Sequence, residues 1–383
     1  MFIRQIAIKN YRSLRDVQIG NLSPIVVFYG DNDSGKSNIL SFLEQLFKTK
    51  FIQEELTIDG AKNENAPVKP SGFWRGEIEN FADNFYRNQS EAIEFSIVVR
   101  FDRSEVETLG PLPEKFLEKL SDNNANINLK LVGQISQAGS NRASMKLLEA
   151  TFNNISFYDG KVSEPKYLPG FDLSPAEGLN LFNRILGSLD DAFLRIPTDR
   201  YLALENELPK TQKAELRRNT FKNWLFQTSL NRDDQKLFQT ISERFAGQPF
   251  GHGRISLARV GDHIEVFVEG NDGLKLPIGR KGSGIQQLLM ILSYVALYSS
   301  PIVGIEELEI NLSPKSQSFL FDNLKALVEA PDSPIKQIFI TTHSPSIAKR
   351  SEAACRGVWM NAERETQVGL RTEAQITEFF NYP

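Results

Sequence analysis

Cysteine is nearly absent: Cys355 is the one instance in 383 residues, which excludes an intrachain disulfide framework. Histidine is scarce too, at His252, His263 and His343, and with no cysteine pair beside them they make a poor zinc site. No stretch approaches the roughly 18 consecutive apolar residues of a membrane-spanning helix. The N-terminal "MFIRQIAIKNYRSLRDVQIG" lacks the continuous apolar core of a secretion signal, so a cytoplasmic protein is expected. Positive charge is not in surplus either. Forty-four Lys and Arg stand against 48 Asp and Glu, a net charge of −4, so no global field draws in nucleic acid and any such contact must be local. Fixed-period repeats and low-complexity tracts are also missing. What remains is a chain with 40% hydrophobic residues, long enough for two or three domains or one elaborate one.

Against these absences stands "YGDNDSGKSN", Tyr29 to Asn38, in which Gly30 to Ser37 fit G-x-x-x-x-G-K-[ST]. The apolar run "SPIVVF" before it reads as a buried strand. "SNILSFLEQLF" after it reads as a helix, with Ile39, Leu40, Phe42, Leu43, Leu46 and Phe47 at helical spacing. In such a loop, backbone N–H groups and the positive end of the helix surround a phosphate. Gly30 and Gly35 allow the turn, Lys36 reaches the β- and γ-phosphates, and Ser37 offers its hydroxyl to Mg²⁺. An ordinary strand-to-helix turn would not require Lys-Ser at this place.

The rest of the chain divides by pattern. The first twenty residues alternate like two strands joined by a turn. Residues 48–89 lose regularity, with "APVKPSGFWRG" the least regular part. "AIEFSIVVRFD", "NINLKLVGQIS" and "SMKLLEATFNNISFYDG" predict an antiparallel sheet, and "LPEKFLEKL" a short helix. "GLNLFNRILGSLDDAFLRIP" is a helix entering a strand. Lys210 to Phe245 predicts two helices rich in Lys, Arg and Gln, and "ISLARVGDHIEVFVEGNDGLKLPI" predicts strands joined by "EGNDG". The last third alternates helix and buried strand, which argues a parallel sheet with helices packed on it.

Three further motifs lie in that last third. The strand "PIVGI" ends in Glu306 and Glu307, where one carboxylate can hold Mg²⁺ and its neighbour can polarise an attacking water. Glu306 takes the Mg²⁺ role here and Glu307 the catalytic-base role, with Glu309 a third acid nearby. "IKQIFIT" is followed by His343, placed to contact a γ-phosphate and sense its loss. "KGSGIQQLLMIL" puts Ser283 and Gly284 at a helix start, a second anion site unless Ser283 is only an N-cap.

Together "GDNDSGKSN", "GSGIQQ", "IEELEINLSP" and "TTHSP", with "IAIKNYRSLRDVQI" in front, resemble the ABC-type ATPase heads of the SMC, RecF and OLD families, and most of all the OLD-like ATPases. The resemblance implies an α/β P-loop NTPase head: a mostly parallel core sheet flanked by helices, an N-terminal antiparallel β lobe and a short helical insertion. The implied boundaries are 1–199 for the N-terminal lobe, 200–249 for the insertion and 250–383 for the C-terminal lobe. It also implies ATP and Mg²⁺ as cofactors. Gly30, Asn32, Ser34, Gly35, Lys36, Ser37 and Asn38 would hold the nucleotide, Arg12 would contact it, and Ser37 and Glu306 would hold the metal. Heads of this kind close as dimers, so Ser283 and Gly284 would act on the nucleotide of a second copy, with Glu309 to Pro314 carrying communication between sites. Departures from the family pattern are Ile285 for the usual glycine, Glu306 for aspartate and Leu308 for proline, which suggest slow turnover. Gln53 and Gln89 both remain candidates for the Q-loop.

The sequence after Pro345 has no D-x-D and no acidic cluster, so no nuclease centre is expected and the chain reads as a head whose effector is separate. By resemblance to the ATPase subunits of the Gabija, Septu and PARIS phage-defence systems, that effector would be a nuclease or toxin. The alternative is a RecF-like DNA clamp in repair, for which Lys210, Lys213, Arg217, Arg218 and Lys222 would supply a phosphate-tracking helix face beside Phe221 and Trp224.

Overall fold

The computed structural model describes residues 1–48, 71–74, 85–86, 91–108, 116, 118, 126–137, 143–159, 166–167, 175–198, 200, 202, 204–209, 212–214, 216, 219–248, 250–270, 273–298, 300–351 and 354–370. The chain opens with β1 (Phe2–Tyr11), β2 (Leu14–Ile19), β3 (Ile25–Tyr29) and α1 (Lys36–Lys48). Then follow β4 (Ser71–Trp74), β5 (Ile93–Asp102), α2 (Arg103–Thr108), β6 (Asn126–Gln137), β7 (Ala143–Phe152), β8 (Ile155–Asp159) and β9 (Lys166–Tyr167). Next come α3 (Pro175–Leu189), β10 (Phe193–Ile196), α4 (Phe221–Leu230) and α5 (Gln235–Ala246), then β11 (Arg254–Val260), β12 (His263–Glu269) and β13 (Lys275–Pro277). The last part is α6 (Ser283–Tyr298), β14 (Ile302–Ile305), α7 (Pro314–Glu329), β15 (Gln337–Thr342), α8 (Pro345–Arg350), β16 (Cys355–Met360) and β17 (Thr366–Leu370).

The central sheet runs β10-β14-β15-β3-β16-β17, parallel throughout except for β17, which returns antiparallel along β16. Its inner strands β3, β14 and β15 are buried on both faces and read as short apolar runs, as crossover-covered parallel strands must. Alternation sorts their side chains into two cores. Val26, Phe28, Ile302 and Phe339 face α1, α3 and the antiparallel sheet, whereas Val27, Val303, Ile305, Ile338 and Ile340 face α6 and α7. The antiparallel sheet, β2-β1-β5-β6-β7-β8-β9 with β4 on β7, covers the first core. The small sheet β11-β12-β13 packs with α4, α5 and α6 in the second. The fold is α/β, with the parallel sheet, antiparallel lobe and helical pair of a P-loop ABC-type head.

Several expectations need correction. Part of the irregular "APVKPSGFWRG" is strand β4, and the end of the chain adds β17. The short helix expected over 112–120 falls mostly outside the described residues, as do Gln53 and Gln89. The first helix of the Lys/Arg-rich segment does not begin near Lys210: it begins at Phe221, and Lys213 precedes it in non-helical chain. The start is set from a distance, because the buried Glu205 carboxylate accepts the N–H groups of Lys222 (2.9 Å) and Asn223 (3.0 Å).

Candidate functional site

Open α/β sheets bind ligands outside the carboxyl ends of their strands. Here β3, β15 and β14 end side by side, and each delivers one part of a cleft. Strands are spaced about 4.8 Å apart, so the ends of β3 and β14, with β15 between them, face each other across about 10 Å. The cleft, of about 570 Å³, is lined by Asn32, Asp33, Ser34, Gly35, Lys36, Ser37 and Asn38 from the loop and α1, by Ser13 and Met360 at one side, and by Glu307 and His343 opposite.

On the loop side, α1 starts at Lys36; the N–H groups of Asn38 and Ile39 donate to the Gly35 carbonyl (3.1 and 3.3 Å), and those of Lys36 and Ser37 find no backbone acceptor among the described residues. Gly35 sits at φ +98°, and a Cβ there would lie 2.0 Å from the Thr366 hydroxyl. Thr366 donates to the Ser34 carbonyl (3.0 Å) and bonds the Ser13 hydroxyl (2.7 Å), which ties β17 and the β1–β2 turn to the loop. The Lys36 ammonium folds back on the carbonyls of Gly30 (2.9 Å) and Asp31 (2.6 Å). Burial pulls its pKa down, while Glu307, Glu309, Asp31 and Asp33 act against that.

On the opposite side, Glu307 and His343 approach to 3.9 Å between Oε1 and Nε2. The turn carrying His343 is held by Glu309, which accepts the Thr342 hydroxyl (2.7 Å) and the His343 N–H. Glu306 points elsewhere. It is buried, does not line the cleft, and accepts from Arg195 Nη2 at 2.8 Å, while Arg195 Nη1 reaches Glu44 on α1 at 3.0 Å. Arg195 keeps its charge, because the carboxylates of Glu306 and Glu44 outweigh its burial and raise its pKa.

A family model described as "AAA domain, putative AbiEii toxin, Type IV TA system" matches residues 25–349. The chain belongs to this family. As an AAA-family chain it is similar in fold to solved SMC heads. The SMC head bound to the C-winged helix domain of ScpA aligns over 99% of this chain and 100% of its own, at 13% identity and a TM-score of 0.50. A Pyrococcus furiosus SMC head with an extended coiled coil, bound to the C-terminal domain of ScpA, covers 99% of this chain and 98% of its own at 12% identity, with a TM-score of 0.47. Among curated proteins, the uncharacterized protein MJECL44 of Methanocaldococcus jannaschii is 31% identical over 111 residues, 27% of this chain. The match spans only 33% of that relative's length.

The AAA-family site fits a nucleoside triphosphate: a buried ammonium, the N–H groups of Lys36 and Ser37 at the helix start, and a close-packed turn that a Cβ at Gly35 would fill. The exposed Ser37 hydroxyl and the Glu307 carboxylate face the same cleft and form a hard-oxygen set suited to Mg²⁺. Gly30 and Arg12 sit behind the lining. A Cβ on Gly30 would lie 1.9 Å from the Val358 carbonyl oxygen, and Arg12 donates to Asn38 (3.3 Å) and Ser41 (3.4 Å) beneath the loop. Ser283 and Gly284 are not among the cleft-lining residues; Ser283 is the first residue of α6 and donates to the Asn311 carbonyl at 2.9 Å. Of the residues expected on a phosphate-tracking face, Lys213 is exposed in non-helical chain. Lys222 is buried and paired with Glu265 (3.2 Å), Phe221 and Trp224 are core, and Lys210, Arg217 and Arg218 lie outside the described residues.

Sequence reading missed Arg195 and Arg200. Arg200 is 1% exposed, and its guanidinium donates to the carbonyls of Pro197 (2.7 Å), Glu306 (2.6 Å) and Glu307 (2.9 Å). Burial lowers its pKa to about 10, so it is a cation at neutral pH. A "RIPTDR" stretch shows no spacing that announces either role.

Proposed function

We propose that the protein binds and slowly hydrolyses ATP with Mg²⁺, closes as a head-to-head dimer, and uses that closure to gate a separately encoded effector, a nuclease or toxin of anti-phage defence. The observation that carries the reading is the cleft in which Lys36, Ser37 and the helix start face Glu307 and His343. Lys36 would leave its loop carbonyls for the β- and γ-phosphates, and Ser37 would hold the ion, which neutralises charge developing on the transferred phosphoryl group. Glu307 would orient and deprotonate the attacking water, and His343 would contact the γ-phosphate. Glu306, held by Arg195, would act on the metal from behind through water. Ser283 and Gly284, remote from their own chain's cleft, would complete the cleft of a second copy. Residues 1–199 and 250–383 would then form one head, with 200–249 as its insertion.

Two findings support a partner: the family description names a toxin–antitoxin system, and an SMC head similar in fold was solved with the C-winged helix domain of ScpA bound. The test is light scattering on the Glu307→Gln variant with and without ATP and Mg²⁺, together with the product of the neighbouring reading frame. Doubling of mass with ATP and co-elution of the neighbour support the reading. A mass indifferent to ATP overturns the dimer. Affinity for duplex DNA that falls steeply with salt, without capture of a neighbour, moves the function to a RecF-like clamp.

A further inference from the structure

Glu307 sits in a conformation that its side chain does not favour. At φ +43° it occupies the left-handed region, where glycine is the inexpensive choice, yet the position carries a carboxylate that reaches the cleft. Backbone groups on both sides of this residue are held by side chains from other elements. Its N–H donates to the Thr341 hydroxyl on β15 at 3.0 Å. Its carbonyl accepts from Arg200 Nη2 at 2.9 Å and from the Ile310 N–H at 3.1 Å. The preceding carbonyl, of Glu306, accepts from Arg200 Nη1 at 2.6 Å.

Both clamps are deeply buried, Thr341 at 0% and Arg200 at 1% exposure. Among the described residues Arg200 donates to main-chain carbonyls and to no carboxylate. A planar guanidinium presents several donors in a fixed fork, which suits it to fix neighbouring carbonyls at once; an ammonium is a point donor without that geometry.

We infer that Arg200 and Thr341 are positioning residues that preset the Glu307 carboxylate toward the cleft before nucleotide arrives. Neither touches the reacting atoms. They act through the backbone of Glu307, and the inference rests on the hydrolytic role given to Glu307 above. Catalytic groups displaced by about 1 Å lose rate while substrate binding elsewhere in the site is kept. Loss of either clamp therefore lowers kcat and leaves KM and affinity for ATP where they were, because neither side chain hydrogen-bonds the phosphate loop among the described residues.

The experiment compares wild type, Glu307→Gln, Arg200→Lys, Thr341→Val and the double variants Arg200→Lys/Glu307→Gln and Thr341→Val/Glu307→Gln, as full chains. Phosphate release gives kcat and KM, and a fluorescent ATP analogue gives affinity. The expected result is a fall in kcat of at least tenfold in Arg200→Lys and Thr341→Val with KM and analogue affinity within twofold of wild type. In the Glu307→Gln background, neither substitution lowers kcat further, as for residues acting as one unit. If Arg200→Lys does not fold, the near-isosteric Thr341→Val decides. Unchanged kcat in a folded variant, or multiplicative losses in the double variants, overturns the inference. If wild type releases no phosphate, or if Glu307→Gln is as fast as wild type, it is the hydrolytic reading that fails, and the two failures are told apart.

Discussion

Lys36 shows how a single residue can be poised by its own loop. Its ammonium is buried, satisfied by the carbonyls of Gly30 and Asp31, and penalised by desolvation. Replacing it by methionine relieves the desolvation of a buried cation but removes the donor to the Gly30 and Asp31 carbonyls, so the two effects oppose each other and the thermal midpoint without nucleotide should move by no more than a few degrees. With nucleotide, two charge-assisted hydrogen bonds to phosphate are lost, about 3 kcal/mol or about 100-fold in affinity, measurable by titration calorimetry. His252 offers a second test. It packs against Phe245 and Phe319, and burial first, then Lys281, lowers its pKa from the usual 6.5. The unfolded chain therefore takes up the proton before the folded one. Stability attached to this group is full above about pH 6.5 and is lost as pH falls toward the depressed folded value. A His252→Phe variant should lack that decline, so the difference in midpoint between the two proteins should widen from pH 7.5 to pH 5.5. At this scale the phosphate loop, Glu307 and His343 were legible because each follows an apolar strand at a fixed place. Arg195 and Arg200 were not, because an isolated arginine owes its role to partners more than a hundred residues away.

Between elements, a buried side chain helps to staple the antiparallel lobe to the parallel sheet. Gln337, fully buried at the start of β15, accepts the Ile3 N–H (2.8 Å) and donates to the carbonyls of Ile3 (2.9 Å) and Ser23 (3.0 Å). Gln337→Leu keeps the volume and strands three backbone groups, which should lower the free energy of urea unfolding by about 3 kcal/mol. The parallel strands were readable from their short apolar runs. The start of α4 was not: Thr220 makes no side-chain cap, and residues 210–220 have a helix-forming composition, so the local pattern favours a longer helix. The carboxylate that sets the boundary is Glu205, fifteen or more residues earlier, and no local propensity encodes it. β4 and β17 escaped for a related reason, since each is made a strand by the partner it lies against.

For the whole molecule, the start of α6 lies away from its own chain's cleft and packs on the segment that follows Glu307, where Gln287 donates to the Ile310 carbonyl at 2.7 Å. A long cation at Ser283 would block a facing copy without touching the phosphate loop. Ser283→Arg in the Glu307→Gln background should keep ATP affinity within threefold and abolish the ATP-dependent doubling of mass seen by light scattering. The central sheet has a consequence for the order in which the protein is made. β3, which carries the phosphate loop, lies between β15 and β16, both of which are translated long after it. Until then the loop strand has no neighbour on either edge, and Thr366 is not yet there to brace Ser34. A chain stopped short of β15 should therefore retain no nucleotide, so nucleotide binding would report that the strands on both sides of the loop have docked.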